Sequence, residues 1–153
     1  MEKAIHWEKV AKHIIKEFET CELVAYEAKQ DVWKIGYGYS GKDVSKGTAW
    51  TKVRAEMELE NYVESDGDYI EATVSVPLTE YEKGALVSFV RSLGRVAFAK
   101  SNLLKLLNKG NTADAAEQFE KHTKENGQVV KRLTRRRGYE RFVFLGGSIE
   151  DKA

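Results

Sequence analysis

Apolar residues along this chain switch spacing from about 3.6 to about 2 and back, and the switches divide it into elements. Trp7, Val10, Ala11, Ile14, Ile15 and Phe18 recur at helical spacing with lysines and glutamates between them. The spacing predicts a helix over about 3–18 that buries one stripe. Val24 and Tyr26, then Val32, Ile35, Tyr37 and Tyr39, set β-branched and aromatic residues on either side of a polar AKQD stretch. That pattern predicts a hairpin. Gly36 and Gly38 alternate with tyrosines in what reads as its second strand. Glycines there mark either a tightly packed small sheet or close approach by a ligand.

Thr51 is an N-cap for a second helical pattern through Val53, Met57, Leu59, Tyr62, Tyr69, Ile70 and Val74. It is long enough to cross the molecule, with a bend allowed at Gly67, and Pro77 ends it. Thr79 caps a third helix whose Ala85, Leu86, Phe89, Val90 and Leu93 nearly encircle it. Such a helix is buried on most sides and forms the centre of a helical lobe. Gly94 stops it, Ser101 starts a short leucine-rich helix, and Thr112 starts another with Ala115, Ala116 and Phe119 inward. The polar segment 122–131 reads as loop. A final helix follows Thr134, with Arg135, Arg136 and Arg137 ahead of Phe142, Val143, Phe144 and Leu145.

The composition adds limits. A chain of 153 residues is most simply one domain, and 42% apolar with 32% charged residues is ordinary for a soluble globular protein. Lys and Arg number 25 against 24 Asp and Glu, so overall charge selects no partner, nucleic acid included. The KRLTRRR run reads as a solvated helix end or as a phosphate-binding patch, and no nucleic-acid motif accompanies it. One cysteine, Cys21, excludes an intramolecular disulfide, and the spacing of His6, His13 and His122 suggests no metal site. No apolar run approaches the ~20 residues of a membrane span, and the N-terminal stretch alternates charges instead of building a signal peptide. A cytosolic product is expected.

Glu19 sits where the first helix gives way to the hairpin. Around it the order FE..ELVAY…VWKIGYG, then VPLTEYEKGALVSFV..LG, F.KSNLLKLLN.G and RR..ER resembles the phage-type lysozymes, the endolysins of glycoside hydrolase family 24. The resemblance runs from about residue 14 to 145. It implies an α+β, mainly α, lysozyme-like two-lobed fold in a single domain over 1–153. The N-terminal lobe would cover about 14–60 with a three-stranded sheet, and a long helix would lead to a C-terminal helical lobe, about 75–146 plus the first helix. It also implies hydrolysis of the β-1,4 bond between N-acetylmuramic acid and N-acetylglucosamine by a monomer. No cofactor is implied, and the partner is the glycan strand of bacterial peptidoglycan, reached by release from the host cytoplasm.

The family pattern of a Glu, eight residues, an Asp or Cys, five residues and a Thr falls on Glu19, Ala28 and Lys34. Glu19 keeps the general-acid role. Ala28 has no group to activate water, and a lysine at 34 brings a cation towards Glu19, favouring its ionised form. Glu27 and Asp31 flank the missing carboxylate and are its possible substitutes. Lys34 is also a candidate structural partner for Glu19 or Asp31. Tyr39 stands for the family histidine, Thr20 for a glycine, Arg91 and Ser92 for a Phe-Asn pair, and His122 for a tryptophan. Ser101 matches and is implied to face the substrate. Arg136 or Arg137 matches the arginine placed near the catalytic Glu. The expected function is therefore a muramidase of ordinary or reduced activity. The alternative is a lysozyme-fold protein that binds peptidoglycan or a protein partner without hydrolysis.

Overall fold

The computed structural model describes residues 5–149. Helix α1 (Trp7–Phe18) buries Val10, Ala11, Ile14 and Ile15, the stripe its spacing predicts. It packs along α3 (Glu80–Leu93), where seven consecutive residues from Gly84 to Val90 are buried. Thr79 and Glu82 close a capping box at the start of α3, satisfying backbone N–H groups that the first turn leaves unpaired. Gly84 is where α1 and α3 touch. A Cβ there would land on the Val10 side chain and 2.9 Å from the Trp7 carbonyl.

Strands β1 (Glu22–Lys29) and β2 (Val32–Gly36) form an antiparallel hairpin with Tyr26 opposite Lys34 and an irregularity between Glu27 and Lys29. The three-stranded sheet implied by the resemblance is reduced to these two strands. In place of the third there is one bridge, Val24 to Ala49, with Ala25 N–H donating to the Thr48 carbonyl and Trp50 N–H to that of Leu23. The second strand is also shorter than its tyrosine-glycine alternation predicts. Gly36 and Gly38 adopt φ of +64° and +82°, so the chain turns at Tyr37 and Gly38 instead of extending.

Helix α2 (Lys52–Thr73) starts at the Thr51 cap and stops well before Pro77. At 22 residues it is about 33 Å long. It links the small core of Ala25, Ile35 and Val44 to the large helical core. Tyr37 hydroxyl donates to Glu56 Oε1 (2.7 Å) and accepts from Lys52 Nζ (2.7 Å), tying the glycine turn to this helix.

Past α3 come α4 (Arg95–Ala99), a five-residue helix with no periodic signal, then α5 (Asn102–Asn108) and α6 (Thr112–Glu117). Two expectations fail in the next stretch. Residues 122–131 contain a second hairpin, β3 (Lys124–Glu125) and β4 (Gln128–Val129), turned by Asn126 and Gly127 at φ of +51° and +79°. Asn-Gly is the pair such a turn selects, and it was the signal to read. The last helix, α7 (Lys131–Phe144), begins at Lys131 instead of after Thr134. The arginine run therefore lies within the helix, and Arg136 and Arg137 point into the protein at 0% and 2% exposure, not into solvent. Among the described residues no helix is long and apolar enough to cross a membrane.

Gly84→Ala should lower stability by about 1–2 kcal/mol, overlap with Val10 outweighing alanine's helix preference. Urea unfolding would show this as a lower midpoint at an unchanged slope.

Candidate functional site

A cleft of about 680 Å³ opens between the β1–β2 hairpin and the helical side of the molecule. Tyr26, Ala28 and Lys34 line its hairpin wall, Arg91, His122 and Glu125 line the other, and Glu19 lies between them. The alternation of a strand puts Tyr26 and Ala28 on one face, and the pairing of Tyr26 with Lys34 brings Lys34 beside them.

Glu19 is the residue after α1. Its backbone has left the helix (φ −112°, ψ 119°) while its N–H still donates to the Ile15 carbonyl at 2.8 Å. The side chain therefore starts from a rigid helix end and keeps 19% exposure. Gly38 makes room for it: a Cβ at Gly38 would sit 3.1 Å from Glu19 Oε1. Arg91 holds this turn in place, donating to the Gly38 carbonyl at 3.1 Å with its guanidinium 3.9 Å from the centre of the Tyr62 ring. Tyr62 in turn donates to the Tyr37 carbonyl at 2.8 Å, and burial pushes its phenol pKa well up.

Behind Glu19 lies a buried chain of charges. Arg136 Nη1 donates to Glu19 Oε2 at 2.8 Å, Nε to Glu140 Oε2 at 3.2 Å, and Nη2 to the carbonyl and hydroxyl oxygens of Ser88. The Ser88 hydroxyl in turn donates a hydrogen bond to Glu140 Oε2 at 2.6 Å. Arg137 Nη1 donates to Glu140 Oε1 at 2.8 Å, Nε to the His122 carbonyl and Nη2 to Ser92 Oγ. Two guanidinium groups thus face two carboxylates in a region where unpaired charge is costly. Arg136, not Arg137, is the arginine on Glu19. Glu140 and Ser88 were missed in the sequence reading, although Glu140 stands four residues after Arg136 and three after Arg137, on one helical face.

Several expected roles do not hold. Lys34 lines the cleft but makes no ion pair with Glu19 or Asp31 among the described residues; Arg136 is the cation at Glu19. Glu27 and Asp31 are absent from the cleft wall. Glu27 Oε2 accepts from Asp31 N–H at 3.0 Å across the hairpin turn, which engages the Glu27 carboxylate away from Ala28. Tyr39 also lies off the cleft, with its ring 5.2 Å from that of Trp50 and its hydroxyl donating to Asp43 at 3.1 Å. Ser101 does not face the cleft. It is 6% exposed, its hydroxyl donates to the Phe98 carbonyl and accepts from Leu104 N–H, and it serves as the α5 cap. Thr20, Arg91, Ser92 and His122 do line the cleft.

Tyr26 is a cleft residue that the sequence offered only as a strand position. Burial, aided by the negative charges of Glu19 and Glu22, raises its phenol pKa, so it stays protonated and can donate a hydrogen bond towards a ligand. Among the described residues no cluster of three or more His, Cys, Asp and Glu side chains is placed to hold a metal.

Glu140→Gln should be among the most damaging single changes, because it leaves two buried guanidinium groups facing one partly exposed carboxylate. A loss of about 3–5 kcal/mol is expected in denaturant unfolding. A gentler effect is expected at His122. Burial, with the Arg137 charge adding to it, lowers the His122 pKa below its ordinary 6.5. The unfolded chain therefore binds the proton first, and this contribution to stability is whole above about pH 6.5 and fades as pH falls through the folded-state value. Replacing His122 by Asn should flatten that part of the fall in melting temperature between pH 7 and 5.

The phage lysozyme family model matches residues 16–140. An endolysin of Bacillus phage PZA is 38% identical over 138 residues, covering 89% of this chain and 54% of its own length. The chain thus spans about half the length of that relative, and of the endolysin of Bacillus phage B103 (52%). A SAR-endolysin of Enterobacteria phage PA-2 is 31% identical, with 84% of this chain and 78% of its own covered. Among solved structures, the muramidase domain of SpmX from Asticaccaulis excentricus superposes with a TM-score of 0.82 at 30% identity, covering 94% of this chain and 99% of that one. The endolysin from Escherichia coli O157:H7 phage FAHEc1 gives 0.81 at 29%, covering 95% and 97%. With a model spanning the helix-to-hairpin junction through to the arginines of α7, and a fold shared over nearly its whole length, the chain belongs to the phage lysozyme family.

Proposed function

We propose that this chain is an endolysin-type muramidase module that cleaves the β-1,4 bond between N-acetylmuramic acid and N-acetylglucosamine in bacterial peptidoglycan. The observation that carries this reading is the setting of Glu19. It projects from a rigid helix end into the cleft, with Oε2 held by Arg136 at 2.8 Å and Oε1 beside the bare backbone of Gly38. In this scheme Glu19, protonated, gives its proton to the glycosidic oxygen as the bond to the sugar C1 breaks. Water attacks C1 and yields its proton to solvent or to a neighbouring base, and Glu19 is reprotonated from solvent. Arg136 stabilises the carboxylate left after the transfer, and Gly38 leaves space for the sugar to approach.

The second carboxylate of glycoside hydrolysis has no counterpart at Ala28. Lys34 on the same wall is a cation where an oxocarbenium-like charge would develop, which opposes the reaction. These two residues favour a second reading, in which the cleft binds peptidoglycan and turns it over slowly or not at all. They also make the first reading specific about rate: activity depends on Glu19 and is limited at positions 28 and 34.

Turbidity loss of outer-membrane-permeabilised cells tests both. Glu19→Gln should reduce lysis by about 100-fold or more if Glu19 is the acid. The double change Ala28→Asp with Lys34→Thr should raise lysis at least tenfold over the starting protein. Equal lysis by wild type and Glu19→Gln would end the hydrolytic reading and leave the binding one.

A further inference from the structure

The corner between α3 and α4 turns on a glycine and is held from outside. Gly94 takes φ +99°, and a Cβ added there would meet nothing within 4 Å, so the corner has no packing of its own. Before it, Arg91 and Ser92 line the cleft; directly after it, Arg95 reaches across to α2. Arg95 Nε and Nη2 both donate to Asp66 Oδ1, at 3.1 and 2.9 Å, and Nη2 also donates to Ser65 Oγ at 2.9 Å. Its guanidinium lies 4.9 Å from the centre of the Tyr69 ring, and the Tyr69 hydroxyl donates to the Arg95 carbonyl at 3.1 Å. Tyr62, Ser65, Asp66 and Tyr69 fall at i, i+3, i+4 and i+7, on one face of α2. Since Tyr62 carries the Arg91 guanidinium, this face grips two arginines, one on each side of Gly94.

The pair is not an ordinary surface ion pair, because its two members differ in burial. Asp66 is 6% exposed, and its Oδ2 is buried with no hydrogen-bond partner among the described residues, so Arg95 is the cation its charge depends on. The Arg95 side chain keeps 45% exposure and reaches water if it is released. Phe98, fully buried against the Phe89 and Tyr69 rings, fixes how deep α4 sits. Apolar contact has no direction, whereas a planar guanidinium fork does, and the fork sets how α4 and the last turn of α3 are oriented. We propose that Arg95 and Asp66 are positioning residues for the cleft: their ion pair orients the α3–α4 corner and, through Arg91, sets the Gly38 turn beside Glu19. The step through Arg91 is its Nη2 bond to the Gly38 carbonyl at 3.1 Å. The consequence for glycan binding and turnover rests on the cell-wall reading above, while the effect on the turn stands apart from it.

The test compares variants of the full chain by melting temperature, by amide resonances in NMR, and by lysis of permeabilised cells and retention on purified sacculi. Arg95→Lys keeps a cation for Asp66 but loses the fork. It should melt within about 2 °C of the starting protein, yet move the amide resonances of Ser92 and of Tyr39, whose nitrogen is bonded to the Gly38 carbonyl carbon, and lower lysis or retention about threefold or more. Arg95→Ala should lower the melting temperature by about 5 °C or more, because it strands the buried carboxylate, and Asp66→Asn by clearly less, because it frees an arginine that water can solvate. Asp66→Asn should move the same two resonances, and it serves if Arg95→Ala fails to fold. In an Arg91→Ala background the added change Arg95→Lys should no longer move the Tyr39 resonance. Resonances of Ser92 and Tyr39 that stay in place in Arg95→Lys and Asp66→Asn overturn the proposal and leave a merely structural ion pair. Movement of Tyr39 that persists without Arg91 overturns the route through Arg91, and moved resonances with unchanged lysis and retention overturn the positioning role. A starting protein that neither lyses cells nor is retained on sacculi removes the cell-wall reading, and the resonances then decide this proposal by themselves.

Discussion

The two guanidinium groups of Arg136 and Arg137 are fully buried, and much of the site follows from the need to neutralise them there. An unpaired charge in a protein interior costs several kcal/mol, so each must find a carboxylate. Glu140, itself at 0% exposure, answers both, and its pairing with Arg136 at i,i+4 and Arg137 at i,i+3 is available as soon as α7 forms. The second carboxylate comes from 117 residues away, from Glu19 at the end of α1. That bond can form only when α1 and α7 are both packed on α3. The ion pair therefore couples the orientation of the proposed acid to assembly of the helical core. Such networks are seldom net stabilisers beside a well-packed apolar alternative, and what this one supplies is a defined place for one carboxylate.

The cleft has walls of different stiffness. On one side α3 and α7 carry Arg91, Ser92 and Arg137 on elements with a continuous apolar core behind them. On the other side a two-stranded hairpin rests on a small core of Ala25, Ile35 and Val44, and among the described residues the Val24 to Ala49 bridge stands where a third strand would pair. Two strands without further support are marginal, so the glycine turn leans on α2 through Tyr37 and Tyr62 and on α3 through Arg91. The hairpin wall, with Ala28 and Lys34 in it, is thus positioned by side-chain hydrogen bonds. Substitutions there disturb no large core.

Different residues were legible in the sequence to different degrees. Glu19 could be found because the helix-to-hairpin switch and the family spacing meet on it. Ser101 was read towards the cleft from its context, but a serine before a leucine-rich helix is equally an N-cap, and the backbone N–H of Leu104 takes it. Tyr39 misled for another reason. The family pattern placed it with the cleft residues, as the counterpart of a histidine, while positive φ at Gly36 and Gly38 turns the chain and its ring lies on Trp50. Asp31 sits in the hairpin turn at φ +61°, its N–H is what Glu27 binds, and neither residue lines the cleft beside Ala28.

By itself the sequence determined the elements whose signals are local: the buried stripe of α1, the Thr51 and Thr79 caps, the nearly encircled α3, and the glycine stop after Leu93. These depend on residues within one or two turns of each other, and a linear pattern contains them. Tertiary structure decided which charges are inside. The run from Lys131 to Arg137 has the composition of a solvated helix end, and an arginine at 136 differs from one at 135 only in the side of α7 it occupies. α7 packs on α3, which turns Arg136 and Arg137 inward to Ser88, Ser92 and Glu140. It also decided that Lys34 lines one cleft with Lys121 and Lys124, which lie far from it in the chain. Both outcomes are sums of interactions over distances in space, and such sums exist only once the chain has folded.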